Sequence, residues 1–360
     1  MQTSKEKYFT KQLLNWNKKF NDRKMPWKGI KDPYKIWLSE VILQQTKVEQ
    51  GIHYYIKFTE KYTNIISLAN AKDKEVYKLW EGLGYYNRCK NLLFTARKLR
   101  DENAGKFPTN YHEILQLKGI GVYTAAAIAS FAFNLPYAVI DGNVYRILAR
   151  YFGIHTPIDS NEGKKEFTHL ANKLLDKRKP AVYNQAIMDF GATVCKPNLP
   201  LCNNCKLKKN CIAFISNEAN LLPIKNKRIV KKHRWLNYFI LINNHDVWIK
   251  ERTEKDIWQN LHEFYLVESE KKIKWNELNI NKQLQQLNIK NYTIKNISKE
   301  FKQQLTHQSL HVQFIQILIS TKPTTLKRDY WISQNKLSTV AFPKIINEFI
   351  KNKDNYLTSS

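Results

Sequence analysis

Apolar residues recur with a period near 3.6 over residues 8–215, which predicts a mostly helical region. Short stops of Gly, Pro and Asn divide this pattern into separate helices. The clearest repeats cover residues 36–50, 76–80, 92–99, 122–133 and 144–152. The repeat over 122–133 is rich in Ala, so we expect that helix to pack closely against its neighbours.

The pattern changes after about residue 215. Residues 226–234 contain five basic residues and no acidic one, which predicts an exposed linker. Apolar runs rich in β-branched and aromatic residues follow and predict strands over 238–242, 247–249, 264–267 and 312–319. We therefore expect a helical domain over residues 1–225, a basic linker over 226–234 and an α+β domain over 235–360.

The charge of the chain indicates a polyanionic partner. Lysine and arginine number 59 against 31 acidic residues, a net charge of +28, and nucleic acid is the usual partner of such a protein. A generally basic proteome is the alternative. The chain has no apolar run of 18 residues and no signal-peptide core at its start, so we expect a cytoplasmic protein with no membrane partner and with reduced cysteines.

Four of the five cysteines lie close together, with the spacing C-x6-C-x2-C-x5-C: Cys195, Cys202, Cys205 and Cys211. In a reducing compartment such a group indicates a metal. Zinc sites usually contain two C-x2-C pairs, whereas one loop with four thiolates fits a cubane iron–sulfur cluster. Zinc and a metal-free loop are the alternatives. The fifth, Cys89, lies on an apolar helix and is predicted to be a core thiol.

Residues 115–126 predict a helical hairpin. One helix ends near Leu117, the turn Gly119-Ile120-Gly121 follows, and a new helix begins before Thr124. Glycines let the backbone approach a ligand closely, and the free N–H groups at a helix start favour an anion such as a DNA phosphate. A plain corner between two helices is the alternative.

Two carboxyl groups have contrasting surroundings in the sequence. Glu40 lies on a largely apolar helix face, where loss of water raises a carboxyl pKa and favours the protonated form. Asp141 precedes a helix start, where backbone N–H groups favour the charged form, and either Asp141 or Asn143 could cap that helix. A solvated glutamate and a simple helix cap are the alternatives.

These motifs resemble those of a known enzyme family. The cysteine spacing, and the hairpin followed by Asp141, resemble the endonuclease III superfamily of DNA glycosylases. Further segments resemble its adenine-removing MutY branch: Pro26-Trp27, Asp32-Pro33-Tyr34, Ser39-Glu40, Leu43-Gln44-Gln45-Thr46, Trp80-Glu81-Gly82-Leu83-Gly84-Tyr85-Tyr86 and Asp141-Gly142-Asn143. The motifs span residues 26–211. They imply a multidomain protein with an N-terminal all-α helix-hairpin-helix glycosylase fold, a 4Fe–4S loop at 195–211 and a C-terminal α+β Nudix-like domain.

The resemblance also implies an activity. The family removes adenine mispaired with 8-oxoguanine or guanine in base excision repair. Cleavage of a base–sugar bond needs one protonated acid and one ionised carboxylate, and these are the roles that the resemblance implies for Glu40 and Asp141. Tyr123 stands where strand-cutting relatives have a lysine, so we expect a monofunctional enzyme in which Tyr123 assists electrostatically.

The resemblance implies DNA contacts as well. Gln45 and Tyr85 match positions that wedge into the base stack, and a helix-face amide and a core aromatic are the alternatives. The remaining expected contacts are Leu117, Gly119, Gly121, Thr124, Asn143, Thr306 and His307. Lys28 stands where some relatives have an arginine.

The second domain departs from the family pattern in two ways. The family reads the base opposite adenine with an F-S-H segment, and here Leu305-Thr306-His307 replaces it. Thr306 and His307 as ordinary turn residues are the alternative. The sequence also lacks the R-E-x-x-E-E motif that holds magnesium in active Nudix enzymes, so we expect no nucleotide hydrolysis.

The sequence favours a bacterial monomer that binds double-stranded DNA containing adenine mispairs. An endonuclease III-like glycosylase-lyase is the second reading, and Tyr123, Glu40 and the extra domain argue against it. A non-catalytic iron–sulfur DNA-binding protein and a zinc-containing transcription factor are further alternatives.

Overall fold

A computed structural model describes residues 2–226, 230–326 and 330–352. The chain forms two compact units. The first comprises Met1–Asn70 and Lys90–Lys227, and the second comprises Ala71–Cys89 and Arg228–Ser360. No helix in the described part of the chain is long and apolar enough to cross a membrane.

Regular structure in the described part of the first unit is helical, as predicted. The helices are α1 (Ser4–Phe20), α2 (Pro33–Leu43), α3 (Val48–Lys61), α4 (Ile65–Ala69), α6 (Asn87–Asn103), α7 (Tyr111–Gln116), α8 (Val122–Phe133), α9 (Gly142–Phe152), α10 (Asn161–Leu174), α11 (Pro180–Thr193) and α12 (Ile212–Ile215). Helix α5 (Asp73–Trp80) belongs to the second unit, and α6 begins there before it continues into the first.

The single helix predicted over residues 36–50 is wrong. Helix α2 ends at Leu43 and α3 begins at Val48, with Gln45 between them at a φ of 55°. A Cβ atom at Gly51 would lie 2.6 Å from Cδ2 of Leu43, so glycine allows the chain to fold back closely after the break. The intervening residues contain no Gly or Pro, and the apolar pattern therefore gave no sign of a helix end.

The core of the first unit is built around α1, α8, α9 and α11. Phe9 and Leu13 of α1 pack with Ile147 of α9 and Phe190 of α11. The small residues of α8 from Thr124 to Ser130 are buried, in agreement with the predicted close packing. Full burial of a large apolar side chain stabilises a fold by roughly 1.5–3 kcal/mol, so this cluster holds α9 and α11 rigidly together.

A mixed sheet forms the second unit. Its strands are β1 (Lys232–Asn243), β2 (Asp246–Trp248), β5 (Tyr265–Ser269), β6 (Tyr292–Ile297), β7 (Phe301–Gln304), β8 (Gln308–Ile319) and β9 (Trp331–Ser333), and β3 (Lys250–Glu251) pairs separately with β4 (His262–Glu263). In the described residues the order is β6-β8-β1-β2-β9, with β5 also pairing with β1 and β7 with β8. The long strands β1 and β8 run parallel at its centre.

Helices pack on both faces of this sheet. Helix α13 (Glu277–Gln286) packs on the face that carries Phe239 and Ile315. On helix α14 (Lys344–Lys351), Phe349 stacks on Phe314 with ring centroids 3.9 Å apart. Because side chains alternate along a strand, Phe314 and Ile315 point to opposite faces. The predicted α+β architecture is confirmed.

The expected linker differs from the structure at its end. Strand β1 begins at Lys232, and residues 227–229 lie outside the described part of the chain. Arg234 is buried rather than exposed, because its guanidinium donates to Glu268 at 2.6 Å and to Asp256 at 2.7 Å. The paired carboxylates offset the cost of burying the charge. A run of basic residues could not indicate these distant partners.

Residues 71–89 also differ from expectation, because they join the second unit instead of the helical domain. Asn260 donates to the hydroxyl of Tyr77 at 2.6 Å, and the backbone N–H of Phe342 donates to Glu81 at 2.9 Å. The apolar period of α5 predicts a buried face but does not indicate which core buries it.

Candidate active site and cluster loop

Glu40, Tyr123 and Asp141 line one cavity of the first unit, with a volume of about 510 Å³. Their positions come from three elements, since Glu40 lies on α2, Tyr123 lies in the first turn of α8 and Asp141 precedes α9. Trp27 and Met188 contribute to the lining. A cavity of this size falls within the range of small-molecule binding sites.

Burial raises the pKa of Glu40 to about 7. A hydrogen bond from the hydroxyl of Tyr123 opposes this rise, and the nearby charge of Asp141 adds to it. The side chain is only 7% exposed, which agrees with the desolvation predicted from the apolar helix face. Glu40 can therefore hold a proton near neutral pH.

Asp141 is the N-cap residue of α9. Of the two predicted candidates, Asp141 and not Asn143 therefore caps this helix. Its Oδ1 accepts hydrogen bonds from the backbone N–H groups of Asn143 at 2.9 Å and Val144 at 2.8 Å, and Oδ2 accepts from the side-chain amide of Asn143 at 2.7 Å. The expected donors are present. Burial nevertheless raises the Asp141 pKa, and these bonds together with Arg146 oppose the rise.

Tyr123 remains a neutral phenol. Burial, the charges of Glu40 and Asp141, and its hydrogen bond to Glu40 raise its pKa well above the ordinary value. The hydroxyl lies 3.5 Å from Sδ of Met188, to which it donates. It can thus act as a hydrogen-bond donor in the cavity and not as an ionised base.

A buried ion-pair group in the cavity wall was missed by the sequence analysis. Asp189 is fully buried and accepts from Arg23 at 2.9 Å, from Lys28 at 3.0 Å and from Asn21 at 2.9 Å. Lys28 therefore pairs with Asp189, a partner that the sequence did not indicate. The only sequence signal was an aspartate within the apolar stretch of α11.

Two arginines on α9 connect the cavity to the cysteine loop. Arg146 donates to Oδ1 of Asn143 at 2.8 Å and to the backbone oxygen of Cys195 at 2.7 Å. Arg150 donates to the backbone oxygens of Lys196 at 2.7 Å and Pro197 at 3.0 Å. Both side chains are nearly buried. Their spacing of four residues on an otherwise apolar helix was the signal that could have revealed them.

The four clustered cysteines surround one small cavity together with Arg150. Arg150 also lies 3.5 Å from the sulfur of Cys195. Burial raises the pKa of Cys205 to about 12, and the neighbouring sulfurs contribute, so thiolates here require a cationic partner. No three His, Cys, Asp or Glu side chains in the described ranges converge on a single ion. Four thiols around one small cavity are the donor set that a multi-iron cluster takes, so the residues present fit such a group.

The hairpin forms as predicted. Leu117 follows α7, Gly119 has a φ of 81°, and Gly121 caps α8 without a side-chain hydrogen bond. Leu117 and Thr124 are buried, and Gln44 donates to the Thr124 hydroxyl at 3.4 Å. The side chains of Leu117 and Thr124 thus support the hairpin from within, and their contact with DNA stays a prediction. The exposed backbone beside Gly121 is the surface available to an anion.

The two expected wedge residues are exposed in their units. Gln45 lies in the turn after α2, so it is not an amide on a helix face. Tyr85 is 44% exposed, so it is not a core aromatic residue. Both have positive φ angles, 55° and 49°. In the second unit the hydroxyls of Tyr85 and Thr306 lie 2.5 Å apart, and His307 is exposed beside Thr306.

Comparisons with known proteins agree with this geometry. Residues 38–176 match the model of the HhH-GPD superfamily of base excision DNA repair proteins, and residues 237–352 match that of the NUDIX domain. The adenine DNA glycosylase of Buchnera aphidicola subsp. Acyrthosiphon pisum is 33% identical over 353 residues, 96% of this chain and 97% of the relative.

Two further relatives cover the helical part. The adenine DNA glycosylase of Rattus norvegicus is 41% identical over 214 residues, which are 57% of this chain and 41% of the relative. The solved structure of a thermostable thymine-DNA glycosylase matches with a TM-score of 0.55 and 31% identity, and covers 59% of this chain and 97% of that chain. The chain therefore belongs to the adenine DNA glycosylase family, as a DNA N-glycosylase of base excision repair with a helix-hairpin-helix domain and a Nudix-like domain.

Proposed function

We propose that the enzyme removes adenine mispaired with 8-oxoguanine or guanine and does not cut the DNA strand efficiently. The observation that carries this proposal is the cavity in which Glu40, with a pKa of about 7, faces Asp141 beside a tyrosine. A similar fold acts on thymine in a relative, so the choice of adenine rests on the family and on this acid. Adenine must leave the duplex to enter the cavity.

The reaction needs a proton for the leaving base. Glu40 gives its proton to N7 of adenine while the bond between C1′ and N9 breaks, and the bonding electrons leave with the base. The sugar becomes an oxocarbenium ion. Water then attacks C1′, and the proton that it loses returns to the carboxylate of Glu40. This transfer restores the starting state of the enzyme.

Asp141 stabilises the sugar cation. It accepts three hydrogen bonds and interacts with Arg146, all of which favour its ionised form, whereas among the described residues the hydroxyl of Tyr123 is the one donor that favours the ionised form of Glu40. Of the two carboxyls, Asp141 is therefore the better anion and Glu40 the better acid. Tyr123 adds a neutral dipole. Since a phenol cannot form a Schiff base, the lyase route of lysine-bearing relatives has no nucleophile at this position.

The cysteine loop holds one 4Fe–4S cluster. Cys195, Cys202, Cys205 and Cys211 are its ligands, and the bound cluster fixes the shape of a loop that carries several lysines. Arg150 orients that loop through backbone oxygens. A rigid basic loop of this kind is suited to a DNA phosphate.

The enzyme acts as a monomer on double-stranded DNA. The backbone at Gly119 and Gly121 binds a phosphate, Gln45 and Tyr85 support the opened base stack, and Asn143 orients Asp141 near the sugar. Thr306 and His307 contact the base opposite adenine. The hydroxyl pair of Tyr85 and Thr306 supports a shared role in that contact.

The first test uses a duplex with one adenine opposite 8-oxoguanine, quenched with and without alkali. Strand breakage only after alkali is expected, and Glu40→Gln should abolish it. Breakage without alkali would instead indicate a glycosylase-lyase. A protein that binds the duplex but releases no base from any adenine mispair would contradict the proposed catalysis. The control variant is Asn103→Gln, a change on the exposed end of α6.

A further inference from the structure

We propose that Met188 is a positioning residue that competes with Glu40 for the hydroxyl proton of Tyr123 and thereby keeps Glu40 protonated before reaction. This inference rests on the proposed role of Glu40 as the acid. Met188 lies on α11 and lines the same cavity as Glu40 and Tyr123.

The cavity lining contains the hydroxyl donor of Tyr123 and two possible acceptors for it, Met188 and Glu40. Tyr123 has a single O–H, which lies 3.5 Å from the sulfur of Met188 and also interacts with the carboxyl of Glu40. A phenol proton directed at the sulfur is withdrawn from the carboxylate. A carboxylate that loses a donor is less stable in its charged form.

The chemistry of a thioether suits this competition. Sulfur is a weak acceptor, so it can hold the hydroxyl of Tyr123 without locking it in one orientation. When Glu40 ionises after giving its proton to the base, the hydroxyl can turn toward the new carboxylate. Met188 would thus favour the protonated acid at the start and release the donor when the charge appears.

In the described part of the chain, the hydrogen bonds and ion pairs of the other charged groups around Glu40 do not involve Met188. Asp141 lies at the start of α9, and Asp189 lies one position beyond Met188 on α11. Arg23 and Lys28, which also line the cavity, are bound to Asp189, and Lys31 completes the charged lining. A change confined to the thioether of Met188 therefore reaches Glu40 through Tyr123.

The test measures single-turnover adenine release against pH with the intact enzyme and Met188→Leu. Leucine keeps an apolar side chain of similar size but accepts no hydrogen bond. The midpoint of the alkaline decline should fall by about half to one pH unit, as expected for a strengthened hydrogen bond to the carboxylate. Met25→Leu, another methionine of the cavity lining, is the matched control and should leave the midpoint unchanged.

Tyr123→Phe separates this role from simple packing. Phenylalanine should raise the midpoint, and Met188→Leu in that background should then have no effect on it. A Met188→Leu profile that is lowered at every pH with an unchanged midpoint would overturn the proposal. The same shift on adding Met188→Leu to the Tyr123→Phe variant would overturn it too.

A second readout does not require activity. The carboxyl of Glu40 can be titrated by carbon NMR in protein labelled at glutamate, with Glu40→Gln to assign the signal. Met188→Leu should lower that titration midpoint by the same amount. If adenine release were absent but the Glu40 titration midpoint still shifted, the proposed function would fail and the coupling of Met188 to Glu40 would hold. An unshifted Glu40 signal would refute the coupling itself.

Discussion

At the scale of single residues, two of the three carboxyls that line the cavity, those of Glu40 and Asp141, have pKa values that burial raises. What separates them is hydrogen bonding, because Asp141 accepts backbone and side-chain N–H bonds at a helix start while Glu40 lies on an apolar helix face. The difference in donors is a local property. It supports the proposed roles of Glu40 as the acid and Asp141 as the anion.

Glu40→Gln should make the protein more stable at alkaline pH. The Glu40 pKa rises from 4.5 to about 7 on folding, so ionisation of Glu40 costs stability as the pH increases through this interval. The advantage of the variant should therefore be small at pH 4 and reach up to about 3 kcal/mol at pH 8.

Melting temperatures at the two pH values measure this effect. The exposed change Glu60→Gln controls for the loss of a surface charge. An equal difference between Glu40→Gln and the wild type at both pH values would mean that Glu40 is not protonated in the folded state at neutral pH.

At the scale of elements, two segments depend on single residues: the hairpin depends on its glycines, and the cysteine loop depends on Arg150 of α9. In the hairpin, Gly119 is required by the fold, because a Cβ atom there would lie 2.7 Å from Cβ of Asn91 and its φ is positive. A Cβ atom at Gly121 would meet no atom within 4 Å. The space beside Gly121 is therefore open to a ligand.

Gly121→Ala and Gly119→Ala should consequently have different effects. Gly121→Ala should leave the melting temperature nearly unchanged but weaken duplex binding about tenfold, because its methyl group occupies the space that a phosphate approaches. Gly119→Ala should lower the melting temperature, because backbone strain reduces the free energy of unfolding by about 1 kcal/mol or more. Fluorescence anisotropy and thermal unfolding measure the two effects, and unchanged DNA affinity in Gly121→Ala would argue against a phosphate site.

Arg150→Met should destabilise the cysteine loop while α9 still forms. It removes hydrogen bonds to the backbone oxygens of Lys196, Pro197 and Leu222, and the buried oxygen of Leu222 left unpaired costs about 1–3 kcal/mol. We expect faster loss of iron and of absorbance near 400 nm during incubation with a chelator. Arg178→Met, at a side chain that is 93% exposed, is the control, and equal rates for both variants would contradict the role of Arg150.

At the scale of the whole molecule, residues far apart in sequence meet in the second unit. Residues 71–89 pack there, and the hydroxyls of Tyr85 and Thr306 lie 2.5 Å apart across a separation of 221 residues. Tyr85, which is expected to wedge into the base stack, and Thr306, which is expected to contact the opposite base, therefore lie in contact. This arrangement depends on the fold of the entire unit.

Tyr85→Phe and Thr306→Val should act on the same interaction. Each should reduce the preference for adenine opposite 8-oxoguanine over adenine opposite guanine by about three- to tenfold, the value of one hydrogen bond, and the double variant should lose little more. Single-turnover rates on the two duplexes measure the preference. Additive losses would show that the two hydroxyls act separately.

Much of the architecture could be predicted from local patterns. The helical domain, the α+β domain and the core helix over 122–133 followed from apolar periods that the structure confirms. Strands β6 and β7 were missed because they are half-exposed and their polar side chains hide the alternation, and β9 was missed because three residues are too few to show a period. The end of α2 was missed because its break contains no local stop residue.

The sequence by itself determined the chemical groups of this protein: the acid, the capping aspartate, the glycine hairpin and the four cysteines, since each depends on neighbours within a few residues. Only the tertiary structure decided their environment. The fully buried Asp189 with its two cations, the arginines that tie α9 to the cysteine loop, and the pairing of Tyr85 with Thr306 all join distant segments. A local pattern carries no information on such partners, because burial and long-range hydrogen bonds exist only once the chain has folded.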